Sequence, residues 1–165
     1  MTHRLSMYFL GFALGVLPAV SLQAQSDEKM AEVFEWKFET APPDVSFQVM
    51  PDESGWEEPA TAAKIICMAT PVPYSKMEQD LGAITSEEGQ TLLEKKPVEI
   101  NGVSGLLILL EFAPMDGTDT ETVYSLMFAR PFQDVSLVLN AQYPKSEHER
   151  LYPKMLTAFG TVRKK

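Results

Sequence analysis

The sequence has little of what disulfide-stapled, zinc-binding or nucleic-acid-binding proteins need. A single cysteine, Cys67, excludes an intramolecular disulfide and therefore a small disulfide-stapled fold. Of the two histidines, His3 lies in the first few residues, and the remaining one with one cysteine does not make a usual structural zinc site. Fourteen Lys and Arg against 23 Asp and Glu give a net charge of −9, which argues against binding nucleic acid or an anionic membrane surface.

The sequence also lacks an apolar run of membrane-spanning length. Its longest run, residues 7–20, follows a short basic start and falls below the ~20 residues that a spanning helix needs. It predicts a signal peptide over residues 1–24, cleaved after Ala24 or, as a second choice, after Ser21. No cysteine follows the run, which excludes lipoprotein processing. We therefore expect an exported protein, periplasmic or extracellular, with no integral membrane domain after signal removal; an uncleaved N-terminal anchor is the alternative.

The rest of the chain contains no internal repeat and no low-complexity segment. We expect a flexible lead-in over residues 25–32 and a single domain over 33–163. Asn101-Gly102 stands between two strand-like runs and is the strongest local hairpin signal, because a type I′ turn needs positive φ at both central residues. The hairpin organises residues 98–142, in which apolar runs predict three central strands at 106–110, 123–128 and 135–139.

Further strands and helices are predicted around this hairpin. Residues 33–39 alternate between aromatic and charged side chains, which predicts a half-buried strand, and 47–50 and 64–70 predict two more. Helical spacing predicts a helix over 75–82. Thr85 with Glu88 is typical of a capping box and predicts a second helix ending near Lys96.

The last helix is predicted from an apolar stripe that runs to Phe159, with Gly160 as its C-cap. Ser146 with Glu149 has the pattern of a capping box. Pro153 conflicts with a start at Ser146, because proline lacks the amide donor and clashes one turn back. The helix therefore either kinks at Pro153 or begins near it.

Together these elements predict an α+β fold: a single, mainly antiparallel sheet with helices on both faces, in other words an α/β/α sandwich.

Several short motifs resemble those of the PsbP/Mog-like α/β/α sandwich superfamily. They are an opening with Phe47, Val49, Pro51, Gly55 and Trp56, the Ile-Asn-Gly-x-x-Gly turn at 100–105, a three-stranded meander and a C-terminal amphipathic helix. The resemblance covers most of residues 47–159. It implies the fold and a non-catalytic binding role, as in exported bacterial members of the group, and it supplies no catalytic residues.

Few residues suggest chemistry of their own. Asp116, Asp119 and Glu121 gather three carboxylates in one loop and form a weak candidate calcium site, although their spacing does not match an EF-hand and Asp-Gly is ordinary turn chemistry. Cys67 is expected to be a buried core thiol. Ser104 would need His148 as its base to act as a nucleophile, and hairpin geometry explains the glycines beside it.

No catalytic residue, cofactor or firm metal site is therefore predicted. The first hypothesis is an exported, non-enzymatic binding or accessory protein that acts on another envelope protein. The alternative is a small-ligand binder with a pocket between sheet and helix. A hydrolase ranks last.

Overall fold

The computed structural model describes residues 33, 36–52, 54–114 and 121–165. The predicted signal peptide, its cleavage after Ala24 and the lead-in over 25–32 lie outside these residues. No helix within them has the length and apolar character needed to cross a membrane.

The elements in chain order are β1 Phe38–Glu39, β2 Gln48–Val49, β3 Gly55–Glu58, β4 Ala63–Thr70, α1 Tyr74–Gly82, β5 Gln90–Ile100, β6 Val103–Phe112, β7 Val123–Phe132, β8 Val135–Pro144, a 3₁₀ turn Lys145–Glu147, α2 His148–Phe159 and β9 Arg163–Lys164.

Seven of the described strands form one antiparallel sheet in the order β2-β3-β4-β8-β7-β6-β5. The short strands β1 and β9 pair with each other in a separate ribbon. The predicted α+β class with a mainly antiparallel sheet is confirmed. Strands β5 to β8 follow one another as a meander, so sequence neighbours are also sheet neighbours in this half of the sheet.

The Asn101-Gly102 turn joins β5 to β6 as predicted. Both residues have positive φ, 49° and 75°, and the flanking Ile100 and Val103 pair directly. The turn also reaches the end of α2, because the Asn101 side-chain amide Nδ2 donates a hydrogen bond of 2.7 Å to the carbonyl of Gly160. A Cβ on Gly160 would lie 2.6 Å from that nitrogen, so a larger residue there would displace the Asn101 amide from this hydrogen bond.

The second helix predicted over residues 85–96 is wrong, since β5 begins at Gln90. Glu87 and Gln90 exchange backbone hydrogen bonds of 2.9 and 3.0 Å around a turn that contains Gly89 at φ 77°. This turn reverses the chain, and the following residues then pair with β6 along its whole length. Pairing with a buried strand therefore outweighs the helix propensity of Leu, Glu and Lys.

The strand predicted over 33–39 is also too long. Residues 34 and 35 lie outside the described part, Val33 is helical, and the strand is confined to Phe38–Glu39. It stops there because its partner β9 offers only two residues. The other strand predictions are confirmed in position, and α1 begins at Tyr74, one residue before its predicted start.

Strand β6 divides the interior into two hydrophobic clusters, because consecutive side chains of a strand point to opposite faces. Leu107 and Leu109 belong to the larger cluster, which includes the α2 residues Leu151, Met155 and Phe159. The smaller cluster is built on the alternate residues of β6 and contains the α1 residues Met77 and Leu81, together with Leu106, Ile108, Leu110, Met127 and Ala129.

Helix α2 begins at His148, after the 3₁₀ turn, and continues through Pro153. The predicted capping box is wrong: no side chain caps the helix start, and the Ser146 hydroxyl instead donates a 2.5 Å hydrogen bond to Glu121. The helix is thus held by its buried stripe.

Substituting Gly102 by Ala is expected to destabilise the protein by about 1–2 kcal/mol, because an L-residue with a Cβ is strained at φ 75°. Gly82→Ala is the matched control, since a Cβ at Gly82 meets nothing within 4 Å and this residue ends a helix. Urea denaturation of both variants checks the prediction. Equal free energies of unfolding for the two variants would contradict it.

Candidate functional site

The weak candidate calcium loop falls largely outside the described residues. Asp116 and Asp119 are not described, and Glu121 accepts the hydrogen bond from Ser146. Across the residues that are described, no three His, Cys, Asp or Glu side chains gather as a metal-binding group. The calcium hypothesis therefore stays a prediction about residues 116–121.

Cys67 lies in β4 and packs against the larger hydrophobic cluster. Burial raises the pKa of its thiol to about 12, so the thiolate is not formed at neutral pH. Ser104 is exposed on β6 opposite Glu99, whereas His148 contacts three tyrosines at the start of α2. The structure thus gives Ser104 and His148 no shared contact.

The imidazole of His148 is the centre of a cluster of tyrosines. Its ring centroid lies 4.9 Å from Tyr124, 5.0 Å from Tyr152 and 6.0 Å from Tyr143. The Tyr143 hydroxyl is also within hydrogen-bond distance of His148 Nδ1, at 3.2 Å. Tyr143 is completely buried, while His148 and Tyr152 are half-buried. We call Tyr124, His148 and Tyr152 the aromatic patch, with Tyr143 as its floor.

Two parts of the fold bring the aromatic patch together. Tyr124 of β7 and Tyr143 of β8 are paired residues in the sheet, so their side chains are neighbours on one face. His148 and Tyr152 are one turn apart on α2 and therefore share a side of the helix. The patch thus forms where the N-terminal turn of α2 packs on the sheet.

A charged rim borders the aromatic patch. Tyr152 Oη donates a 3.0 Å hydrogen bond to Glu94 of β5, which also pairs with Lys96 at 2.5 Å. On the other side, Glu111 of β6 pairs with Lys145 at 2.7 Å, and the Lys145 ammonium lies 5.8 Å from the Tyr124 ring centroid. Aromatic residues surrounded by charged ones are a common composition of protein-binding surfaces.

Hydrogen bonding and burial fix the charge states of this surface. The hydrogen bonds from Lys96 and Tyr152 lower the pKa of Glu94, and the bond from Lys145 lowers that of Glu111. Burial raises the pKa values of Tyr124 and Tyr152, so both phenols remain protonated donors at neutral pH. The surface therefore carries the protonated phenol of half-buried Tyr152 between ionised carboxylates, while Tyr124 is buried at 8% exposure.

The aromatic patch is continuous with a free edge of the sheet. Among the described strands, β5 is the last in the order and pairs only with β6. The register shifts between Leu92 and Glu94, and Leu93 at this bulge is 45% exposed. Glu94, the next residue, is the one that binds Tyr152.

An ion-pair network on the opposite side of α2 was not predicted from the sequence. Arg150 holds Glu58 with two hydrogen bonds, 2.9 Å from Nη1 and 2.6 Å from Nη2, and one turn later Lys154 pairs with Asp44 at 2.5 Å. The Glu58 carboxylate also accepts hydrogen bonds from Ser46 and Thr61, and its side chain is only 4% exposed. Its acceptors are thus satisfied by protein donors, which indicates a structural role.

No protein-family model matches the sequence, and no curated protein is significantly similar to it. The fold is similar to that of LpqN, a protein involved in cell envelope biogenesis of Mycobacterium tuberculosis. The two share 14% identity with a TM-score of 0.51, over 77% of this chain and 82% of LpqN. At this identity the likeness establishes the fold alone.

Two further solved structures are weaker matches. A protein of unknown function from Pseudomonas aeruginosa shares 11% identity, with a TM-score of 0.45 over 86% of this chain and 85% of the other. A protein from Bacteroides thetaiotaomicron VPI-5482 shares 12% identity, with a TM-score of 0.49 over 78% of this chain and 48% of the other.

The ion pair between half-exposed Arg150 and buried Glu58 makes stability depend on pH. Hydrogen bonding by Arg150 lowers the pKa of Glu58 from 4.5 to about 2 in the folded protein. The carboxylate therefore contributes stability that is fully present above its unfolded pKa and is lost as the pH falls from about 4.5 to about 2. We expect the free energy of unfolding of Glu58→Gln to lie well below that of the wild type at neutral pH and to approach it at about pH 3.

Urea denaturation at several pH values checks this expectation. Glu99→Gln is the control, because Glu99 is an exposed carboxylate on β5. The free energy of unfolding of Glu99→Gln should stay close to that of the wild type at every pH. The prediction would be contradicted if the difference in free energy of unfolding between Glu58→Gln and the wild type did not shrink as the pH falls, because the stabilisation would then not depend on the ionised carboxylate.

Proposed function

We propose that the chain is an exported, non-enzymatic binding or accessory protein that acts on another protein of the cell envelope. The role of LpqN in envelope biogenesis supports this context, although only through a shared fold. The observation that carries the proposal is the contiguous surface made by the aromatic patch and the free edge of β5. The partner would add a strand to β5 and cover the tyrosines beside it.

The edge of β5 suits strand addition outside two positions: the Leu92 N–H already donates a 2.8 Å hydrogen bond to the Ser86 hydroxyl, and Pro97 has no N–H. Free edges normally carry charged residues that discourage pairing, lysine above all. Here the Lys95 ammonium instead folds back to donate hydrogen bonds to the carbonyls of Gly82 and Ile84, at 2.6 and 2.9 Å, and Lys96 is paired with Glu94. The lysines of β5 are thus occupied within the protein, while Leu93 stays exposed as an apolar contact.

The aromatic patch would supply the side-chain contacts. Backbone hydrogen bonds to an added strand provide affinity without selecting a sequence, and neighbouring side chains provide selectivity. Tyrosines are enriched among the residues that dominate interface energies, because they bury a large area and retain a hydroxyl. Tyr152 is suited to this role because its hydrogen bond to Glu94 holds it against β5.

We further infer that the fold belongs with the PsbP/Mog-like sandwiches, with α1 and α2 on opposite faces of the sheet. The confirmed Asn101-Gly102 turn, the β6–β8 meander and the terminal helix α2 support this inference, as do the two separate clusters to which the helices contribute. Export through the predicted signal peptide completes the proposal.

Site-specific photocrosslinking in the native host tests the partner surface. A photoreactive amino acid is introduced at Leu93 of the full chain, which is then exported by its host. Val45 is the matched control, because it is a fully exposed apolar residue away from β5. We expect a discrete crosslinked product from position 93, and none from position 45.

A second variant links the crosslink to the aromatic patch. Tyr152→Ala in the position-93 background should reduce the product several-fold, because it removes the side chain that binds Glu94 beside the edge. Equal crosslinking from positions 93 and 45 would refute the proposed surface. So would the absence of any crosslink from position 93 in a host that produces its other envelope proteins.

A further inference from the structure

The side chain of Asn101 joins the β5–β6 turn to the end of α2. Its amide nitrogen Nδ2 donates the 2.7 Å hydrogen bond to the carbonyl of Gly160, the residue that follows the helix. Carbonyls at a helix C-terminus have no partner within the helix, so the Asn101 amide satisfies one of them. The contact is close, because a Cβ on Gly160 would lie 3.0 Å from Asn101 Cγ as well as 2.6 Å from Nδ2.

The same asparagine carries a chemical reactivity of its own. An asparagine followed by glycine is the pair most prone to spontaneous deamidation, because glycine has no Cβ to hinder the approach of its backbone nitrogen to the amide. Asn101 and Gly102 are both exposed, so water reaches them. The turn that organises the hairpin is therefore also a place where the chain can be modified without an enzyme.

The reaction needs only these two residues and water. The Gly102 backbone nitrogen loses its proton and attacks Cγ of Asn101, the Cγ–Nδ2 bond breaks, and ammonia leaves a five-membered succinimide. Water then opens the ring. Cleavage at Cγ gives aspartate, whereas cleavage at the main-chain carbonyl of residue 101 gives isoaspartate, in which the backbone runs through Cγ.

The folded turn opposes closure of this ring. The φ values of 49° and 75° are those of a type I′ turn, whose first central residue has ψ of about +30°. At this ψ the Gly102 nitrogen points away from the Asn101 side chain. Rotation about the Cα–C bond of Asn101 would bring the two together, but it would disrupt the turn that pairs Ile100 with Val103. The hydrogen bond to Gly160 also holds the amide that has to leave.

We propose that Asn101 is a deamidation site that the docked end of α2 protects, and that its modification releases the helix end from the turn. The carboxylate that replaces the amide has no N–H to donate to the Gly160 carbonyl. It also places a negative charge at a helix C-terminus, where the helix dipole disfavours one. The loss of ammonia makes the change irreversible, and the inference does not depend on the proposed partner surface.

Deamidation kinetics of the full chain, purified from its host, test the protection. The protein is incubated at mildly alkaline pH in native buffer and in urea above its unfolding transition. Peptide mass spectrometry follows the modification of Asn101, and an isoaspartyl methyltransferase assay follows the isoaspartate. We expect the native protein to react at least about tenfold more slowly, because the reaction requires local opening of the turn.

Gly160→Ala tests the contribution of α2. Alanine suits the helical backbone of Gly160, with φ −71°, but its Cβ would displace the Asn101 amide. The variant should deamidate several-fold faster than the wild type in native buffer and at the same rate in urea. Gly82→Ala is the matched control, because a Cβ at this helix end meets nothing within 4 Å. It should react like the wild type under both conditions.

Asn101→Asp tests the effect of the modification on the helix end. Urea denaturation at neutral pH should show an unfolding equilibrium constant about five- to tenfold larger than that of the wild type, since one hydrogen bond is lost and a charge is added. The same substitution in the Gly160→Ala background should have a smaller effect, because the bond is already broken there.

Each measurement has a result that would overturn the inference. Equal deamidation rates in native buffer and in urea would show that the fold gives no protection. Equal rates for Gly160→Ala and Gly82→Ala would exclude α2 as its source. An Asn101→Asp protein as stable as the wild type would show that the modification leaves the helix end in place. If Gly160→Ala does not fold, the wild-type kinetics and Asn101→Asp still decide.

Discussion

The burial of β6, β7 and β8 on both faces is the constraint on which the rest of the structure depends. Leu107 and Ile108 are neighbours on β6, point in opposite directions, and are 1% and 0% exposed. Each such side chain contributes about 1.5–3 kcal/mol when it is removed from water, so neither face of these strands can be left open. Leu151, Met155 and Phe159 of α2 belong to the larger cluster, and Met77 and Leu81 of α1 belong to the smaller one.

Helix α2 couples this packing to the aromatic patch. Leu151, Met155 and Phe159 anchor it in the larger cluster, while His148 and Tyr152 form one of its flanks. The opposite flank is held by the pairs from Arg150 to Glu58 and from Lys154 to Asp44. Charges that play no part in the patch therefore act together with the buried stripe to hold the helix, and with it His148 and Tyr152, in place.

Short sequence patterns predicted the parts of the fold that depend on the conformational preferences and apolar character of neighbouring residues. Asn101-Gly102 forms its turn because both residues adopt positive φ readily. The apolar runs become strands because every side chain in them is more stable when it is buried. Residues 85–96 could not be predicted correctly, because pairing with the following strand β6 outweighs the helix propensity of their Leu, Glu and Lys residues. The aromatic patch was missed because it needs the β7–β8 register, although the spacing of His148 and Tyr152 was a visible clue. The hydrogen bond from Asn101 to Gly160 could not be predicted, because it joins residues that are 59 positions apart in the sequence.

Cys67, the single cysteine of the sequence, is poorly reactive while the sheet is closed. Cys67 is half-buried, and its thiol stays protonated at neutral pH, which makes it a poor attacker of disulfides. Separation of β4 from β8 would remove the burial that raises the thiol pKa and would expose the whole side chain. Alkylation of Cys67 is therefore expected to be faster in an opened molecule than in the closed one, so its rate in the native protein is sensitive to opening of the sheet.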